Sequence, residues 1–195
     1  MAASSSASPT VPFDLPLFLV VAQGKPGRRS PYRFTAALYN MAVSFVIRDF
    51  QPEDFETLWR IDQECFPPGI AYSRQELKVY VRRRGSFTII AEEAGHKSIA
   101  GFIVAYGGLT AHIITIDVIV EARRSGVGSQ LLKAAEARLR EGKSKAVGLE
   151  TAVDNAAALA FYKRHGFHVV STWPRYYSNG VDALVMKKNL VPDPA

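Results

Sequence analysis

The chain has 195 residues, 48% hydrophobic and 22% charged, which suits one folded domain with or without a tail and excludes disordered or collagen-like classes. Its formal charge of +6 comes about half from the first forty residues, where Lys25, Arg28, Arg29 and Arg33 face only Asp14; the mildly basic remainder suits a small anionic ligand better than nucleic acid. Cys65 is the only cysteine, so an intrachain disulfide and a cysteine-built zinc site are excluded and a reducing cytoplasm is the default location.

Residues 1–42 read as a disordered extension. They hold Pro9, Pro12, Pro16, Pro26 and Pro31, which break helices and remove strand donors. The apolar run Leu15–Ala22 is far short of the roughly 20 residues that span a bilayer, and no Lys or Arg precedes it as in a secretory signal. The stretch is Ser-rich, Arg-containing and poor in acids, so a transit peptide is the competing reading, as is a start upstream of Met41. No other apolar run reaches membrane length.

The folded domain is expected over residues 43–190, with 191–195 as a short tail. Ser44–Arg48 reads as a strand. Pro52 opens a helix in which Phe55, Leu58, Trp59 and Ile61 recur at helical spacing, and Pro67-Pro68-Gly69 ends it. Ser73 with Glu76 is a capping-box signature for a helix over 74–83. Phe87–Glu92 and Ile99–Tyr106 read as strands of a hairpin turning at Ala94-Gly95-His96, and His112–Val120 as a β-branched central strand. A helix follows over Gly126–Gly142, a strand over Ala146–Ala152 and a helix over Asn155–His165. Strands over His168–Thr172 and Ala183–Lys188 complete the pattern. This order predicts an α/β (α+β) mixed sheet.

Arg123-Arg124-Ser125-Gly126-Val127-Gly128 joins the central strand to a helix. Glycines permit a tight turn, successive N–H groups point outward, and the helix N-terminus adds partial positive charge, so the segment is a candidate anion cradle. It is neither a Walker loop nor a GxGxxG turn. The plainer reading is a glycine-rich helix start with two solvated arginines.

Arg-x-x-Gly-x-Gly after a β-branched strand resembles the pyrophosphate-binding motif of the GCN5-related N-acetyltransferase (GNAT) family. The run from Leu149 through Glu150, Asn155 and Tyr162 to Gly166-Phe167 resembles the second signature of that family, in its RimI-like branch of protein N-terminal (ribosomal-protein alanine) acetyltransferases. Trp173-Pro174-Arg175-Tyr176-Tyr177 extends the similarity to a tyrosine pair of that branch. The resemblance implies the GNAT acyl-CoA N-acyltransferase fold, a central, mostly antiparallel sheet with flanking helices. It also implies acetyl-CoA as donor and an amine as acceptor, with direct attack on the thioester and no metal.

By that resemblance the N–H groups from Arg124 to Ser129, spanning Ser125, Gly126, Val127 and Gly128, receive the pyrophosphate beside Arg123. Ile116, Asp117 and Val118 offer a strand edge to the pantetheine amides, with the Val118 N–H facing the thioester carbonyl. Period two puts His112, Ile114, Ile116 and Val118 on one strand face and Asp117 on the other. Glu150 stands at the position of the base in the bacterial branch. His112 is the second candidate, where eukaryotic relatives carry a catalytic tyrosine. Tyr162 matches the acid that protonates the leaving thiolate, and Asn155 the residue that contacts the coenzyme. Phe66, Pro67 and Tyr72 of the loop after the first helix, with Tyr176 and Tyr177, flank the acceptor.

Plainer roles exist for each: an ion-paired carboxylate for Glu150, a packed histidine for His112, a core anchor for Tyr162, and a helix N-cap for Asn155. Val120 and Asp117 depart from the family pattern, which has proline and a small residue there. The acceptor implied is a protein N-terminal α-amine, with a ribosomal protein among the candidates. A small amine, polyamine, antibiotic or lysine side chain is the alternative, and a non-catalytic acyl-CoA-binding module the second. Nucleic-acid and membrane partners are not expected.

Overall fold

The computed structural model describes residues 44–68 and 70–191. The expected extension over 1–42, Gly69 of the loop after the first helix, and residues 192–195 of the tail lie outside these. Seven strands form one sheet: β1 (Phe45–Asp49), β2 (Ser86–Glu93), β3 (Ile99–Tyr106), β4 (Thr110–Val118), β5 (Ala146–Ala152), β6 (His168–Trp173) and β7 (Ala183–Asn189). Four helices join them: α1 (Phe55–Cys65), α2 (Arg74–Arg82), α3 (Val127–Glu141) and α4 (Ala156–Arg164). The strand order is β1-β2-β3-β4-β5-β7-β6. Every pairing is antiparallel except β4 with β5, so the sheet is mixed and mostly antiparallel, as expected.

The apolar runs of β2 and β3 are continuous because both faces of the sheet are covered. Ile89, Ile103, Ala105 and Ile113 pack with Leu131, Leu132, Ala135 and Leu139 of α3 and with α4. Ile90, Phe102, Val104 and Ile114 face the other way, onto Leu58 and Ile61 of α1 and Leu77 and Tyr80 of α2. Each fully buried leucine contributes about 2 kcal/mol by removing its surface from water. The capping box of α2 forms in both directions. Ser73 Oγ accepts from the Glu76 N–H at 3.2 Å, and Glu76 Oε2 accepts from the Ser73 N–H at 2.9 Å.

Two features of β4 differ from the sequence expectation. The strand ends at Val118, and Val120 starts a 3-10 turn over Val120–Ala122. Within the strand, Val104 pairs with Thr115 but Ala105 pairs with Ile113, so Ile114 is an inserted bulge residue. The bulge breaks the period-two arithmetic. His112 and Asp117 lie on the α1–α2 face with Ile114, while Ile116 and Val118 face α3. His112 and Ile116 therefore do not share a face as expected, whereas Asp117 does oppose Ile116 and Val118.

Gly101 holds β3 tight against this stretch. A Cβ there would stand 2.4 Å from the backbone oxygen of Asp117. Gly101→Ala is expected to cost about 1–3 kcal/mol of folding stability through forced separation of β3 and β4, measured by urea denaturation; an unchanged midpoint would show that the strands have slack.

Candidate active site

β4 and β5 pair only where Thr110–His112 meet Ala146–Gly148. Beyond that point they part, β4 staying with β3 and β5 with β7. Ile119 donates its N–H to Ala100 O at 3.0 Å on the β3 side. Strand alternation then turns the N–H groups of Ile116 and Val118 towards the gap, while Asp117 turns its own to β3. Of the expected edge Ile116, Asp117 and Val118, the first and last present donors.

On the α3–α4 side the gap opens into a groove of about 370 Å³ lined by Ile116, Val118, Arg123, Arg124, Gly126, Gly128 and Ser129, with Ala157, Phe161 and Arg164 from α4. Arg124 has φ +62° and Gly126 φ +93°. The left-handed conformation costs about 1–2 kcal/mol at a residue with a side chain, and none of note at glycine. Ser125 Oγ donates to Ala122 O at 2.6 Å and ties the turn. The first intrahelical acceptor of α3 is Gly126 O, reached by Gln130 N, so the N–H groups of Val127, Gly128 and Ser129 have no intrahelical partner and point towards the groove end. A Cβ on Gly128 would meet the Phe161 ring at 3.4 Å and narrow the groove. The geometry is that of an anion cradle continuous with an apolar trough.

Arg123 is arranged differently from a solvated charge. Its Nε donates to Val118 O at 3.0 Å, and Nη2 lies 3.7 Å from Cys65 Sγ, so the side chain braces the end of β4. Ser129 Oγ meets His165 Nε2 at 3.0 Å, and His165 Nδ1 meets Phe161 O at 2.8 Å, joining α3 to α4 beside the groove. Asn155 caps α4, its Oδ1 accepting from the Ala158 N–H at 3.1 Å.

On the opposite face, His112 Nε2 stands 3.0 Å from Glu150 Oε2. The ring N–H is not directed at the carboxylate as a hydrogen bond requires, so the contact is one of charge and proximity. The His112 ring stacks on Tyr106 with centroids 5.5 Å apart and planes 16° apart, and the Arg83 guanidinium lies 4.1 Å from the Tyr106 centroid. Glu150 is buried. Tyr162 is fully buried, and its hydroxyl has no hydrogen-bond partner among the described residues. Burial, then the charges of Asp117 and Tyr177, pushes that hydroxyl well above the usual tyrosine range, so it stays protonated. Tyr177 is raised likewise, by burial first and then by Glu150 and Asp154. The two candidate bases meet where β4 and β5 part, whereas Tyr162 sits in the core behind the groove, its ring edge-on to Phe161 and Phe167.

The expected acceptor residues divide. Tyr176 packs edge-on against Tyr177 and tilted by 42° against Trp173, each with ring centroids 5.2 Å apart. Pro67 is exposed, but Tyr177 is buried against Ala152 and Ala183, and Phe66 and Tyr72 are buried in the α1–α2 core, where Tyr72 meets Tyr80 at 5.2 Å. Sequence reasoning missed Phe161 and Arg164 of the groove, although Ala157, Phe161 and Arg164 recur at helical spacing on one face of α4. It also missed Asp62, whose Oδ2 accepts the Tyr72 N–H at 2.8 Å. No group of His, Cys, Asp and Glu among the described residues could hold a metal ion, and no helix among them is long and apolar enough to cross a membrane.

Comparison with known proteins gives the family and the fold. The profile of the acetyltransferase (GNAT) family matches residues 55–167. An N-alpha-acetyltransferase of Sulfurisphaera tokodaii is 37% identical over 76 residues, 38% of this chain and 46% of that protein, so the matched part spans about half of the relative. Among solved structures, Ard1 of Thermoplasma volcanium superposes with a TM-score of 0.70 at 32% identity, over 77% of this chain and 100% of that one. The ribosomal-protein-S18-alanine N-acetyltransferase of Escherichia coli shares the fold, with a TM-score of 0.67 at 23% identity over 77% of this chain and 97% of that one.

Asp62 gives the site a measurable pH signature. Burial pushes its carboxyl up to about 7, from an ordinary value of 3.8 in the unfolded chain. Between those values the folded state holds the extra proton, so stability is highest below about 4 and declines as pH rises through about 7. Asp62→Asn is expected to flatten that decline while keeping an acceptor for the Tyr72 N–H, measured by denaturation at several pH values. An unchanged slope would assign the decline to another group.

Proposed function

Because the chain belongs to the acetyltransferase (GNAT) family, and so transfers the acetyl group of acetyl-CoA to an amine nitrogen, we propose that its acceptor is the α-amine at a protein N-terminus. The observation that carries this reading is the buried Glu150 held 3.0 Å from His112 at the mouth of the gap. An α-amine has an ordinary pKa of about 8 and needs only a modest base, whereas a lysine near 10.4 needs a strong one. The name of the Sulfurisphaera tokodaii relative, an N-alpha-acetyltransferase, supports the same class of acceptor. A ribosomal protein is one such acceptor, as in the name of the Escherichia coli neighbour, and the single cysteine of the chain suits a reducing cytoplasm as the place of action.

Acetyl-CoA supplies a thioester-activated acetyl group when bound. The N–H groups from Arg124 to Ser129 hold its pyrophosphate, helped by the Arg124 and Arg164 charges at the groove. The edge at Ile116 and Val118 pairs with the pantetheine amides, and the Val118 N–H faces the reacting carbonyl. Glu150, with His112 against it, receives the proton of the attacking amine through water. Tyr162 gives its proton to the leaving sulfur. Its buried, raised hydroxyl is in the right state to donate. Tyr176 faces the peptide's approach, Tyr177 supports it from beneath, and Phe66 and Tyr72 support the loop after α1 from the core.

Peptides beginning Ala, Ser or Met are expected to be acetylated in preference to free lysine and polyamines, with CoA release followed in a thiol assay. Activity confined to small amines would sink the α-amine reading. Glu150→Gln is expected to lower kcat about 100-fold with the KM for acetyl-CoA unchanged, and to flatten the rising limb of the pH–rate profile. If only His112→Ala flattens that limb, the base is His112.

A further inference from the structure

Glu150 is only one of the neighbours that hold His112. Its partner on β3 is Tyr106, the last residue of that strand, and its partner on β5 is Gly148. Glu150 stands two residues beyond Gly148, on the same face of β5, and reaches His112 from there at 3.0 Å. On the β3 side the Tyr106 and His112 rings stack, with centroids 5.5 Å apart and planes 16° apart. The Arg83 guanidinium lies over the Tyr106 ring, 4.1 Å from its centroid. Guanidinium, phenol, imidazole and carboxylate thus follow one another from the end of α2 across three strands.

His112 needs this second constraint. Its Nε2 is close to Glu150 but makes no hydrogen bond among the described residues, so the carboxylate alone does not fix the plane of the ring. Stacked aromatic rings do fix each other's planes, and the negative face of a tyrosine attracts a cation. The backbone sets where Arg83 and Tyr106 meet. Arg83 caps α2, its N–H donating to Tyr80 O at 3.2 Å and its carbonyl accepting from the Ser86 N–H at 2.9 Å. The Gly107 N–H, next after Tyr106, donates to Gly85 O at 3.1 Å. These bonds tie the end of α2 to the ends of β2 and β3, which carry the stack.

We propose that Tyr106 and Arg83 are positioning residues of the base: Tyr106 clamps the His112 ring with Nε2 at the Glu150 carboxylate, and Arg83 steadies the Tyr106 ring that does so. This role rests on the reading above, in which Glu150, with His112 against it, receives the proton of the attacking amine. Both residues act through His112. A ring free to turn about its Cβ–Cγ bond presents Nε2 to Glu150 for only part of the time. Loss of the stack therefore slows proton transfer and leaves the coenzyme groove, on the other side of the sheet, as it was.

The stack can be taken apart without opening the core. Arg83 is exposed, and Tyr106 is half-buried at the rim of the α1–α2 cluster. Tyr106→Leu keeps an apolar side chain at that rim and removes the aromatic face, whereas Tyr106→Phe keeps the face. Arg83→Gln removes the charge, whereas Arg83→Lys keeps a cation for the ring.

The test uses the full chain with an N-terminal peptide acceptor and compares these four variants, His112→Ala, and Tyr106→Leu combined with His112→Ala. Tyr106→Leu is expected to lower kcat about tenfold with the KM for acetyl-CoA unchanged, and Tyr106→Phe to recover most of that loss. Arg83→Gln is expected to lower kcat about threefold, and Arg83→Lys to recover it. On the His112→Ala background Tyr106→Leu is expected to cost nothing further, because its effect runs through the missing ring. A wild-type kcat for Tyr106→Leu, a Tyr106→Phe as slow as Tyr106→Leu, or a loss that persists in full without His112 overturns the positioning role and spares the base. A wild-type kcat for both His112→Ala and Glu150→Gln overturns the base, and the positioning role with it. If Tyr106→Leu fails to fold, Arg83→Gln carries the test alone and combined with His112→Ala, and an unchanged kcat overturns the proposal.

Discussion

Everything in the site depends on a parallel strand pair that stops early. β4 and β5 share three residue pairs and then separate, although each continues for several residues with its other neighbour. Separation leaves backbone donors and acceptors without ladder partners in the middle of a sheet, a position where they are ordinarily paired. That cost is accepted only where another group takes the missing strand's place. The trough on the α3–α4 side and the His112–Glu150 contact on the α1–α2 side are the two mouths of this single opening.

Charge is sorted across the opening. Cations and helix-end N–H groups stand on the groove side, the proposed seat of the polyanionic coenzyme, with Arg124 at φ +62° in the turn. Acids stand on the other face, and two of them, Asp62 and Asp117, are deep enough that burial favours their neutral forms. Arg123 belongs to neither group. Its guanidinium is spent on Val118 O and the neighbourhood of Cys65, which fixes the last residue of β4 at the point where the reacting carbonyl lies in the proposed mechanism. Burial pushes the Cys65 thiol up to about 12, so this sulfur is an inert packing group.

The elements were legible in the sequence because their signals are local. The Ser73–Glu76 capping box, the helical spacing of α3 and the hairpin turn after β2 depend on residues a few positions apart, and the structure has them where expected. The cradle was legible for the same reason, since Gly126 and Gly128 open a helix straight after a strand. The face of β4 was not. In a run such as His-Ile-Ile-Thr-Ile-Asp-Val, apolar and β-branched on both sides, no alternation reveals a bulge, and one extra residue reverses every side chain beyond it. The His112–Glu150 contact and the burial of Asp62 were invisible for a further reason: they depend on strand register and helix placement between distant segments. Phe66 and Tyr72 looked like channel walls because aromatic residues in a loop carry no mark of whether they point inward.

Ile114, as the inserted residue, gives β4 a tolerance that regular strands lack. Its two halves answer to different neighbours: the first to β5 and the base, the second to the groove. Deleting Ile114 would leave Ile116 and Val118 in register with β3, and His112 opposite Tyr106 on its present face, because the register already passes over this residue. Gain or loss of one residue at this position is therefore absorbed locally, with neither the His112 contact nor the groove edge turned to the other face.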